Sequence, residues 1–223
     1  MSMGGFLSRL RRNVSGVAIT EFALSAPFLL GFGLWGIETA NLALTNMKVS
    51  QLAMHIADNA SRIGDTSTLE DRKIYESDIN DLLYGAFLQS GGGLDIYKHG
   101  RVIVSSLEVE DGSGNQYIHW QRCKGERKHL SSYGEEGDDL GTKGMGPAGH
   151  EVLAQEGDAV IFVEVNYLYQ PLVSEMFVPN TAISATSAFT VRDDRDLSQI
   201  YQSDPSAPAT ISRCSIYDSF PAT

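Results

Sequence analysis

The chain has 223 residues and a mass of 24.3 kDa, which is enough for one globular domain and one additional element. Its 17 Lys and Arg against 28 Asp and Glu give a formal charge of −11, which argues against binding to nucleic acid or to an anionic lipid surface. The hydrophobic fraction of 42% indicates a folded chain and excludes an intrinsically disordered one.

The N-terminus combines basic charge with a long apolar run. Arg9, Arg11 and Arg12 precede the first acidic residue, Glu21, and the apolar run extends over Val17–Ile37. At about 1.5 Å per helical residue, such a run covers roughly 31 Å, the hydrocarbon thickness of a bilayer. By the positive-inside rule the three arginines stay in the cytoplasm, so the rest of the chain is expected on the other side of the membrane.

Three kinds of N-terminal segment share this pattern. A cleaved secretory signal peptide has a shorter apolar core, whereas this run continues into a helical pattern, which disfavours that interpretation. An uncleaved signal anchor tolerates the length but leaves Glu21 inside the apolar run, where an unpaired charge costs on the order of 2.5 kcal/mol or more. A prepilin leader accounts for both features.

The heptapeptide from Gly16 to Phe22, GVAITEF, resembles the cleavage motif of type IV prepilins, in which a peptidase cuts after glycine and leaves glutamate at the fifth mature position. The wider stretch of about residues 9–48 resembles the TadE/TadG-like minor pilins (pseudopilins) of the tight-adherence, or Flp, pilus apparatus. The resemblance implies processing between Gly16 and Val17 and assembly through Glu21 and Phe22. It also implies a bacterial inner-membrane location, with prepilin peptidase, other pilin or pseudopilin subunits and pilus-assembly proteins as partners.

The chemistry of such a cut gives the carboxylate a role. Cleavage after Gly16 would expose the α-amine of Val17, a cation with a pKa of about 8. Glu21 lies one helical turn later on the same face, so it can pair with this amine or with that of a neighbouring subunit. In an uncleaved anchor, Glu21 would instead reach the cytoplasmic surface of the membrane.

Helical spacing of apolar residues continues beyond the membrane span, so one long helix is predicted over about 17–64. Pro27 is expected to interrupt one backbone hydrogen bond, with a kink as the consequence. Gly31, Gly33 and Gly36 offer a surface on which another helix can pack closely.

The rest of the chain predicts an α+β domain of pilin-like plan over residues 65–223, located in the periplasm. A second helix is expected over Leu69–Leu88, with Thr68 and Asp71 as a capping box and Gly91–Gly93 as its end. About four antiparallel strands are expected, at Val102–Val109, Gln116–Gln121, Ala159–Leu168 and Ala182–Val191.

Two irregular segments complete this domain. A glycine-rich acidic loop is expected over 124–155 and a C-terminal tail over 192–223. The acidic residues lack the spacing of a known calcium loop, which favours solvated charge over a metal site. In an oxidising periplasm Cys123 is expected to pair with Cys214, which would tie the tail to the second strand; two buried free thiols are the alternative.

No catalytic pattern stands out. The five histidines are scattered, and the sequence has no HExxH, GxSxG or phosphate-binding glycine loop. We therefore expect a structural subunit with a 1–16 basic leader, no cofactor, no metal and no enzymatic activity. A single-span, uncleaved adhesive or scaffolding module is the alternative.

Overall fold

The computed structural model describes residues 15–64, 71–179, 181–192 and 194–220. These residues form two compact units. The first, here called the N-terminal unit, contains the described chain up to Ala43 together with Pro171–Pro179. The second, the sheet unit, contains Leu44–Gln170 and the described residues after 180.

One helix, α1 (Ser15–Ala60), contributes to both units and continues without a break through Pro27. Its segment in the sheet unit is amphipathic, because buried positions recur there at intervals of three and four residues. The buried residues are Val49, Leu52, Ala53, Ile56, Ala57 and Ala60. The single long helix expected from the sequence is therefore present, ending about four residues earlier than expected.

The second helix, α2, spans Glu76–Leu94, so the predicted start at Leu69 is wrong. Asp71 lies outside the helix and Thr68 lies outside the described residues, so the proposed capping box does not begin this helix. Instead, the backbone N–H of Tyr75 donates a 3.0 Å hydrogen bond to the Asp78 carboxylate. The helix also continues past the glycine run to Leu94, with a non-helical conformation at Gly91 (φ 63°).

A short helix, α3 (Ile96–His99), leads into a five-stranded antiparallel sheet of order β3-β2-β1-β4-β5. Its strands are β1 (Gly100–Val109), β2 (Gln116–Lys124), β3 (Asp139–Gly141), β4 (Val160–Leu168) and β5 (Ala182–Thr190). The expected α+β class and the four long strands are confirmed. The three-residue edge strand β3 is an addition to them.

The segment between β2 and β4 covers one part of the sheet. Met145 from this segment is fully buried and packs with Phe162 in a cluster whose other members are Leu107, Ile118, Ala154 and Val160. Gly144 allows the chain to fold back, because a Cβ atom there would lie 1.8 Å from the carbonyl oxygen of Val152. The predicted surface loop is therefore largely irregular, as expected, but it also supplies core residues.

Candidate functional site

The predicted processing site lies in the first turn of α1. Within the described residues the helix begins at Ser15, and the side chains of Val17, Glu21 and Phe22 are exposed. A Cβ atom on Gly16 would meet no atom within 4 Å. The peptide bond after Gly16 and the carboxylate one turn later are thus unobstructed by other described residues. Arg9, Arg11 and Arg12 lie outside the described residues.

The apolar surface of α1 is exposed along the predicted span. The large apolar side chains there are Val17, Ile19, Phe22, Leu24, Phe28, Leu29, Leu30, Phe32, Leu34, Trp35 and Ile37. A contiguous surface of this size indicates contact with lipid or with other protein chains. Within the described residues, this is the one helix long and apolar enough to cross a membrane.

The polar side chains of this surface are satisfied by the helix itself. The hydroxyl of Thr20 donates to the carbonyl of Val17 at 2.8 Å, and that of Ser25 donates to the carbonyl of Phe22 at 3.3 Å. Back-bonded hydroxyls leave few polar atoms without a partner, as a hydrocarbon environment requires. The sequence of the span is therefore compatible with lipid along its whole length, with the Glu21 carboxylate as the exception.

The proposed packing surface of Gly31, Gly33 and Gly36 is open. No described atom lies within 4 Å of a Cβ atom built on any of these glycines. The backbone at these positions is therefore accessible to a neighbouring helix. Close packing by another subunit remains a prediction.

Directly after the apolar run of α1, Glu38 binds a loop of the N-terminal unit. Its two carboxylate oxygens accept hydrogen bonds from the backbone N–H groups of Leu172, at 3.1 Å, and Val173, at 2.6 Å. The glutamate is 0% exposed. No role for Glu38 was predicted from the sequence. The available signal was a carboxylate immediately after the apolar run, but its partners lie more than 130 residues away in the chain.

In the sheet unit, the tail is fastened to β2 by the predicted disulfide. Cys123 and Cys214 are bonded, with Cα atoms 4.7 Å apart. Beside them the buried guanidinium of Arg101 donates to the carbonyls of Cys214, at 2.5 Å, and Ile216, at 2.7 Å. It also lies 4.1 Å from the ring centroid of Tyr217. The sequence predicted the disulfide but not the arginine.

A polar cluster between β1 and β2 is the nearest approach to a catalytic arrangement. Glu108 accepts hydrogen bonds from Ser106, at 2.6 Å, and from Nδ1 of His119, at 2.9 Å. The bond to Glu108 raises the pKa of His119, against the opposing effect of partial burial. Because the serine hydroxyl donates to the carboxylate rather than to the imidazole, these contacts do not form a nucleophile and base pair.

The acidic loop residues take part in protein hydrogen bonds. Glu136 pairs with Arg122 at 3.0 Å, Asp138 accepts from the backbone N–H of Glu135, and Asp139 accepts from Asn115. Among the residues that the structure describes, no group of three or more His, Cys, Asp and Glu side chains is arranged to hold a metal ion. The loop carboxylates are thus bound to groups of the sheet unit itself.

Comparisons with protein-family models, with curated protein sequences and with solved structures give no significant match to this chain.

Proposed function

We propose that the protein is a minor pilin-like structural subunit, anchored by α1 in the bacterial inner membrane and processed after Gly16. The observation that carries this proposal is the unburied apolar face of α1, with the glycine and Glu21 in its first two turns. A helix of this kind needs lipid before assembly and neighbouring helices after it.

In the proposed assembly step, charges at the start of the helix pair between subunits. After cleavage, the new α-amine at Val17 and the carboxylate of Glu21 would lie one turn apart on α1. In a hydrocarbon environment each of these charges is costly alone, so pairing between neighbouring subunits favours a defined stagger. Phe22, exposed beside the carboxylate, would supply apolar contact at the same level.

The expected topology places the sheet unit in the periplasm. A disulfide between Cys123 and Cys214 supports an oxidising compartment for this unit, because such bonds are rare in the reducing cytoplasm. Loss of the leader with its three arginines would change the formal charge from −11 to −14. A subunit of this size and acidity suits a tip, initiation or assembly role better than the repeated shaft of a pilus built from short subunits. We propose no catalytic activity for it.

The test is the N-terminal residue of the protein recovered from membranes of its native cells. We expect wild type to begin at Val17, and we expect Gly16→Arg to retain its leader. Ser15→Arg is the matched control, since it adds the same charge one residue earlier and keeps the glycine. An intact leader in wild type would contradict the proposal and favour the uncleaved anchored module, whereas a start near Ala40 would indicate a secreted domain.

A further inference from the structure

The loop that Glu38 holds carries a cluster of exposed apolar side chains. Leu172 is 69% exposed, Val173 39% and Met176 88%. All three belong to the segment Pro171–Pro179 of the N-terminal unit. Three exposed apolar side chains within five residues are a denser set than the isolated apolar residues that are common on protein surfaces.

The contacts of Glu38 fix the level of this loop along α1. Both carboxylate oxygens bind consecutive backbone N–H groups, those of Leu172 and Val173, so the loop cannot slide along the helix without breaking two charge-assisted hydrogen bonds. Glu38 follows directly after the apolar run of Val17–Ile37, whose helical length matches the hydrocarbon core. In a membrane spanned by this run, the loop would lie at the level where the helix leaves the hydrocarbon core.

The loop backbone is suited to this level. A carboxylate satisfies the N–H groups of Leu172 and Val173, and the backbone N–H of Phe177 donates to the carbonyl of Ser174 at 3.1 Å. Irregular backbone in a region of scarce water requires such partners. The loop has no basic residue, and its single charged residue is Glu175.

We propose that this segment is a second membrane contact, in which Leu172, Val173 and Met176 enter the interfacial layer of the bilayer that α1 spans. The inference rests on the membrane anchoring in the proposed function. Because the loop carries no cation, the contact is with the apolar part of the interface and does not depend on anionic lipid. Because the loop is attached to α1 at Glu38, its contact with the interface would restrict the rotation of α1 in the membrane.

The depth of the loop can be measured in the full-length protein reconstituted in lipid vesicles. A fluorophore sensitive to polarity is attached at Met176→Cys, and nitroxides are placed on the lipids either near the headgroup or deep in the chains. Leu29→Cys is the control for the span, and Leu153→Cys is the matched control for an exposed apolar residue of the sheet unit. The native cysteines form a disulfide and do not react with the label.

We expect the shallow nitroxide to quench the Met176→Cys probe at least about two-fold more than the Leu153→Cys probe, equally in zwitterionic and anionic vesicles. Deep quenching of the Leu29→Cys probe without quenching at position 176 would overturn the loop contact and leave the anchoring intact. No quenching at either position would refute the anchoring itself. A blue-shifted probe at position 176 that no lipid nitroxide quenches would show that a protein surface covers the loop, which also overturns the inference.

The attachment of the loop to Glu38 is tested separately by Glu38→Ala, which removes both carboxylate oxygens that accept hydrogen bonds from the loop backbone. We expect the shallow quenching at position 176 to fall towards that of the water-exposed control. Thr39→Ala is the matched variant, because the hydroxyl of this neighbouring residue donates to the helix carbonyl of Trp35 and not to the loop. Unchanged quenching in Glu38→Ala would contradict the role of the carboxylate in setting the depth of the loop.

Discussion

Removal of the disulfide, in the double variant Cys123→Ala/Cys214→Ala, is expected to destabilise the protein mainly through its unfolded state. The two cysteines are separated by 91 positions, and closing a loop of this length stabilises by roughly 4 to 5 kcal/mol on the chain-entropy estimate. That loss is large beside the 5 to 15 kcal/mol that is typical of folded domains.

Contacts in the folded state support this estimate, because the tail keeps other attachments to β2. The backbone N–H of Cys123 donates to the carbonyl of Ser212 at 2.8 Å, and that of Gly125 donates to the carbonyl of Asp218 at 2.9 Å. Lys124 forms an ion pair with Asp218 at 2.8 Å. The tail is therefore expected to stay docked in the variant, so the free energy of unfolding falls without a change in the native fold.

The assay is urea unfolding of the full-length protein in detergent micelles. Trp120 is nearly buried in β2 and reports on the sheet unit, and a Trp35→Phe background removes the signal of the tryptophan in the span. We expect the free energy of unfolding to fall by about 4 to 5 kcal/mol in the double variant, and by a similar amount when wild type is reduced.

The control is the double variant with and without reductant, which should unfold identically. A loss below about 1 kcal/mol with a native Trp120 spectrum would refute the reasoning, because it would mean that the unfolded chain is compact enough to keep the two positions close.

Three further predictions concern the sheet unit and the span. The guanidinium of Arg122 lies 2.6 Å from the buried carboxylate of Glu76, and Arg122→Met leaves that carboxylate unpaired. In urea unfolding, the free energy of unfolding should therefore fall by about 3 to 5 kcal/mol. Replacing both residues with methionine should recover much of this loss. The bond to Glu108 raises the pKa of His119 above its unfolded value of about 6.5, so this contact stabilises the protein fully below that pH, and its contribution is lost as the pH rises through the folded pKa. Wild type should therefore lose stability relative to His119→Gln as the pH rises above about 6.5, and parallel pH profiles would contradict this. Under the proposed function, Glu21→Gln should still be cleaved after Gly16 but should crosslink to neighbouring subunits about ten-fold less or worse, since an unpaired amine in hydrocarbon is costly. Undiminished crosslinking would exclude the charge pair.

The strands could be predicted from the sequence because their signals are local. The ends of β1 and β2 agree with prediction to within three residues, since apolar runs and the glycine-rich turn between them lie in adjacent sequence. The disulfide was also predictable, because only one pairing of two cysteines exists. These features require no knowledge of distant contacts.

The start of α2 could not be predicted, because a distant segment competes for the backbone that precedes it. The N–H of Arg72 donates to the carbonyl of Asp194 at 3.0 Å, and the N–H of Glu76 donates to the carbonyl of Tyr201 at 2.9 Å. In return, the N–H of Tyr201 donates to the carbonyl of Ile74 at 2.8 Å. Pairing with the tail keeps residues 71–75 extended although their local pattern favours a helix.

Of the two glutamates at the ends of the apolar run, one has a role that can be predicted from neighbouring sequence and the other has a role that depends on distant residues. Glu21 can be assigned a role from its spacing to Gly16, and its side chain is exposed on α1, as pairing with another chain requires. Glu38 has the same chemistry, yet its carboxylate is fully buried against a loop that lies 134 positions later in the sequence. Neutralising Glu21 should therefore affect contacts between subunits and leave the loop in place, whereas Glu38→Ala should release the loop and leave processing after Gly16 unchanged. A variant at either position that produced both effects would mean that the two ends of the span do not act independently.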